Sequence, residues 1–152
     1  MRRSFLAATF VLATAAAALV TTSSAAAPSD GVPRAQWTGM IMGLSGSKIH
    51  GEATVRPGKE PGTTEITLTY TGDAAATTRP WHLHIGSCAN GTGVFGGTQA
   101  YTPLVSDAKG GGKTTVTIPL AMPMSGDYSI NFHESPTRMA TYVACGDLKF
   151  AK

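Results

Sequence analysis

His82 and His84 stand one residue apart in the run Trp81, His82, Leu83, His84, Ile85. In a strand, residues i and i+2 leave the same face, about 7 Å apart along the chain. The two imidazoles therefore project one way while Trp81, Leu83 and Ile85 project the other. Imidazoles held side by side on a rigid strand are the beginning of a metal site. A third histidine, His133, lies in the alternating run 128–133, where Tyr128, Ile130 and Phe132 face inward and Asn131 and His133 outward. If the two strands are neighbours, three imidazoles converge on one ion. Three nitrogen ligands suit copper in either oxidation state, or zinc with one position left open for water. The remaining histidine, His50, shares its face with Lys48, Glu52 and Thr54 and reads as an ordinary surface residue.

Sulfur is the other source of ligands. Cys88 and Cys145 are the two cysteines, and in an exported chain such a pair reads as a disulfide, with metal ligation by thiolate as the weaker alternative. Closing a loop of that length is worth ~4 kcal/mol on chain entropy. Met40, Met42, Met122, Met124 and Met139 could offer a thioether to Cu(I), although filling the core is the commoner use of methionine.

Export itself is read from the start of the chain. A basic Met1, Arg2, Arg3, Ser4 precedes an apolar, alanine-rich run over 5–20 and a small polar stretch over 21–27, the pattern of a signal peptide over 1–26 cut after Ala26. Arg2, Arg3, Ser4, Phe5 and Leu6 also fit a twin-arginine signal. Loss of Arg2 and Arg3 brings twelve Lys+Arg down to ten against nine Asp+Glu. The exported part is then nearly neutral, which argues against nucleic acid or an acidic membrane surface as partner.

The elements that must position these residues are strands. Residues 27–46 give no clean period and read as an N-terminal arm or first strand, ahead of a domain over 47–152. Residues 48–56 alternate, with Ile49, Ala53 and Val55 on one face. Residues 57–62 are turn-like in composition, and 63–70 alternate again with Ile66, Leu68 and Tyr70 buried. Further strands are expected over 113–120, with Val116 and Ile118 inward, and from 139 to about 148. Residues 87–112 form a long glycine-rich connection, a length that is usually functional or mobile. Short strands between turn-rich segments, with no helix after the signal, predict an all-β antiparallel sandwich or barrel.

At this point the chain resembles the copper/zinc superoxide dismutase family. His82, Leu83, His84 resemble its copper-binding strand and Cys88 the disulfide cysteine shortly after it. Ile130 to Glu134 resembles the segment with another copper histidine, and Ala144, Cys145, Gly146 the signature around the second cysteine. Order and spacing agree over roughly 47–148. The resemblance implies a Greek-key barrel, copper on His82, His84 and His133, a Cys88–Cys145 bridge, and superoxide as substrate. A related secreted sandwich, the CHRD module, shares the histidine-bearing strands and is usually a binding or structural unit.

Two departures shape the expectation. Residues 87–112 hold no histidine and only Asp107 as an acid, so the family's zinc site and its bridging histidine are missing. Tyr142 stands where the family has an anion-guiding arginine, with Arg138 nearby. The expected protein is therefore an exported, disulfide-bonded, mononuclear three-histidine copper protein with Arg138 or Tyr142 beside the site. It either dismutates superoxide or binds, stores or delivers copper without turnover. A metal-free structural module is the third alternative.

Overall fold

The computed structural model describes residues 35–152. The expected signal peptide over 1–26 lies outside them. Among the described residues no helix is long and apolar enough to cross a membrane.

Among the described residues, ten strands and a single turn of 3-10 helix at Thr98–Ala100 make up the fold: β1 (Gln36–Gly43), β2 (His50–Pro57), β3 (Thr64–Thr71), β4 (Thr78–Arg79), β5 (Trp81–Ile85), β6 (Leu104–Val105), β7 (Gly112–Ile118), β8 (Tyr128–His133), β9 (Tyr142–Asp147) and β10 (Lys149–Ala151). The all-β antiparallel expectation holds. One curled sheet runs in the order β5-β8-β9-β1-β2-β3-β7, with β10 also pairing β1. The β1-β2-β3 meander is local, whereas the chain crosses the sheet from β3 to β5, back to β7, and again to β8.

Alternation dictates which face is buried. Ile41, Val55, Ile66, Leu68, Trp81, Leu83, Ile118, Ile130 and Phe132 fill the concave side. Tyr70 on β3 meets Phe132 on β8 edge to face with ring centroids 5.3 Å apart, so strands distant in sheet order face each other across the core.

Residues 36–43 resolve as a strand at the heart of the sheet. Its N-terminal half pairs β10 and its C-terminal half pairs β9. The two glycines at this junction are required by space. A Cβ on Gly39 would lie 2.4 Å from the Asp147 carbonyl oxygen, and one on Gly146 would lie 2.5 Å from that of Met40.

Three expectations need correction. The strand expected from residue 139 begins at Tyr142, because the 135–141 segment is a pair of turns closed by Arg138 N–H to Ser135 O and Thr141 N–H to Arg138 O. Beyond it a further strand, β10, continues to Ala151. The connection over 87–112 is also shorter as a free loop than expected. Its later part forms β6, which pairs β4, and its start is tied to β5 through Ile85 N–H to Gly93 O and Phe95 N–H to Leu83 O.

Candidate metal centre

Strand pairing builds the centre. β5 lies antiparallel to β8 with His82 opposite Asn131 and His84 opposite Ser129. Residues directly opposite share a face, so His82, His84, Asn131 and His133 all leave the side away from the core. The register slips between Phe132 and His133, setting His133 opposite Tyr142 rather than Val143. A bulge of this kind turns one side chain to the other face. It explains why the Tyr142 ring joins the histidines, 5.1 Å from His133 and 5.9 Å from His84.

Facing away from the core does not expose these residues, which corrects the expectation of an outward surface. His82 and His84 are 4% exposed and His133 3%. The connection after β5 folds back over them: Tyr101 stands edge-on to His82 at 5.2 Å, and Val94 bridges to His84. The Gly91 backbone completes the cover near the His84 Cβ.

One potential ligand atom from each ring lies within 4.8 Å of the others. His133 Nδ1 donates to the Met139 carbonyl, which leaves Nε2 with its lone pair facing the cluster. A backbone carbonyl in this role fixes the tautomer of metal-ligating histidines. His82 Nδ1 lies 2.9 Å from His133 Nε2. Two nitrogens each about 2.0–2.1 Å from one ion at a right angle are about 2.9 Å apart, so this pair is already at ligand spacing. Without metal the same contact is a hydrogen bond from His82 to His133.

His84 is different. Both its ring nitrogens are buried without a protein hydrogen-bond partner, although the Thr92 backbone lies close enough to favour its charged form slightly. Ser129 Oγ, opposite His84 on β8, is the third such atom among the described residues. Buried polar atoms are nearly always paired, and an ion bound by the cluster would engage His84. Residue types alone did not point to Ser129; pairing β5 with β8 in register would have.

The electrostatics favour neutral imidazoles. Burial pushes the His82 pKa down to about 4, helped by the neighbouring His133 and His84. Burial also lowers His84, with His133 adding to it. His133 is lowered by burial too, against the pull of its Met139 bond. All three are therefore unprotonated near pH 7, the state metal ligation requires. The group can hold a metal ion.

The surroundings are rigidly tied. Cys88 and Cys145 form a disulfide with Cα atoms 5.9 Å apart, joining the segment after β5 to β9. Arg79, two residues before Trp81, bonds Asp73 through both Nε (2.8 Å) and Nη2 (2.7 Å) and donates from Nη1 to the Glu134 carbonyl. Together with His133 N–H to Pro80 O, this locks the start of β5 to the end of β8. Burial alone would raise the Asp73 pKa, but the Arg79 bonds and charge hold it below the usual carboxylate value. The Arg138 side chain is 63% exposed and pairs with Glu134, the residue after His133, at 2.8 Å. His50 is exposed on β2, as expected. Met122 is buried in the core, while Met40, Met42 and Met124 are exposed.

A scan against protein-family models finds no match for this chain, and a search of curated proteins likewise finds none.

Proposed function

We propose that the protein is an exported copper-binding protein of the superoxide dismutase-like kind, with one copper ion held by His82, His84 and His133. The observation that carries this reading is His84, whose two ring nitrogens are buried without a protein partner inside a group of neutral imidazoles. Copper is favoured over zinc because affinity for nitrogen ligands peaks at copper in the divalent series, and imidazole also serves Cu(I). Bound copper supplies one-electron redox chemistry, which dismutation of superoxide needs.

The residues contribute three things to that chemistry. Met139 orients His133, Tyr101 and Tyr142 screen the rings from bulk water, and the neutral ligand set leaves the charge of a bound cation uncancelled. An uncancelled positive charge in a low-dielectric site draws a small anion. The disulfide fits an oxidising, extracytoplasmic compartment, in keeping with the basic and apolar start of the chain.

A second reading, copper held without turnover, is favoured by the burial of the histidines and by the engagement of Arg138 with Glu134. One experiment separates the two. The exported chain is loaded with Cu(II), its metal content is measured, and superoxide decay is followed beside His84→Ala. One copper per chain and dismutation lost in the variant support the first reading. One copper and no dismutation leave the second, and absence of copper binding overturns both.

A further inference from the structure

A second group of potential ligands stands on the outer face of β1 and β2. Met40 and Met42, two residues apart on β1, are 64% and 58% exposed. Register sets Met42 directly opposite His50, and Met40 opposite Glu52. Opposite residues have Cβ atoms about 4.5–5.5 Å apart and diagonal ones about 7–8 Å, within reach of long side chains. Met40 and His50 also line one shallow depression of about 220 Å³, with Thr69 and Thr71.

His50 is prepared for ligation. Its Nδ1 donates to the Lys48 carbonyl at 2.9 Å. The lone pair is thereby left on Nε2, which takes a hydrogen bond from Thr71 Oγ1 at 3.0 Å. A backbone carbonyl holding one imidazole nitrogen while the other is presented outward is how proteins orient a metal-binding histidine. A lone exposed methionine needs no explanation. Two on one strand face, in register with such a histidine, make a soft donor set.

We propose that Met40, Met42 and His50 form a second, surface site for a soft monovalent cation, Cu(I). Two thioethers and an imidazole select Cu(I) over zinc and harder divalent ions. The unbranched methionine side chains adapt to the ion, and His50 exchanges its Thr71 contact for the metal. The site shares a sheet face with the histidine cluster. His82, Asn131, Cys145, Met42 and His50 stand opposite one another in turn across β5, β8, β9, β1 and β2. Three strand spacings, roughly 14 Å along the sheet, separate His82 from Met42.

The test is a titration of the disulfide-bonded exported chain with Ag(I), a redox-inert probe for Cu(I) sites, followed through the methionine methyl resonances. The Met40 and Met42 methyls shift at stoichiometric Ag(I), while Met124, exposed to 54%, serves as an internal control that does not. The conservative double variant Met40→Leu/Met42→Leu removes one equivalent and weakens binding at the surface at least ten-fold, with Cu(II) uptake by the histidine cluster unchanged. Unmoved Met40 and Met42 methyls, or a double variant that binds as many ions as the wild type, overturn the proposal. Loss of all Ag(I) binding in His84→Ala overturns it too. Loss of all metal binding in the methionine variant instead overturns the reading of the histidine cluster.

Discussion

Replacing His84 by leucine should make the metal-free protein more stable, not less. Each buried polar group without a partner costs about 1–3 kcal/mol, and a neutral imidazole has one donor and one acceptor, both in that state at His84. Taking about 2 kcal/mol for each and setting about 2 kcal/mol against the sum for an imperfect fit of the new side chain, the variant gains about 2 kcal/mol. At about 4 °C per kcal/mol for a domain of this size, its melting temperature rises by about 8 °C. Under the proposed function, copper reverses the order. At a free concentration 1,000 times the Kd, a site that exists only in the folded wild type contributes about 4.1 kcal/mol. The assay is thermal and urea unfolding of both proteins, stripped with a chelator and then loaded. A His84→Leu protein that is less stable than the stripped wild type by more than about 1 kcal/mol would refute the reasoning, since the imidazole would then be satisfied without metal.

Three further outcomes are expected. In the stripped protein, the His82 pKa of about 4 lies below its ordinary 6.5, so between these values the unfolded chain binds more protons. Stability is then flat above pH 6.5 and falls as pH drops towards 4, and His84 and His133 add with the same sign; urea midpoints across this range check it. Removing the disulfide with Cys88→Ser/Cys145→Ser opens a loop spanning a separation of 57 residues and costs about 4 kcal/mol, read as a lower urea midpoint that reductant produces in the wild type as well. Arg79→Met leaves the Asp73 carboxylate, 3% exposed, without its partner and costs about 3 kcal/mol. Asp73→Asn added to it should recover part of that loss in a double-mutant cycle.

The legible part of this molecule was its alternation. Ile66, Leu68 and Tyr70 on β3, and Ile130 and Phe132 on β8, have their burial written in a period of two. The phase of His82, His84 and His133 was legible for the same reason. Their burial was not, because it depends on Tyr101 and Val94 returning over β5 through contacts with no local sequence signal. β1 was obscured by Gly39 and Gly43: Gly39 is crowded by the Asp147 backbone and Gly43 by that of Ser47 in the following turn, and close backbone approach leaves no periodic trace. Tyr142 reaches the site through a one-residue slip in pairing, which pattern reading cannot place. Ser129 became relevant only when β5 and β8 were set in register.

The course of the chain through the sheet has a consequence for when the site exists. β1, β2 and β3 can form from contacts between neighbours in sequence, but β5 meets β8 only after β6 and β7 have been laid down. Loop closure makes such distant pairings slow. His82 and His133, 51 residues apart, therefore come together later than the local β1-β2-β3 contacts form, in the same step that brings Trp81, Leu83, Ile130 and Phe132 into the core. While β5 and β8 are unpaired the three histidines are not gathered, so a metal ion finds its ligand set only in a chain where that pairing has formed. Refolding followed at once by core fluorescence and by the copper spectrum should show the second signal never preceding the first.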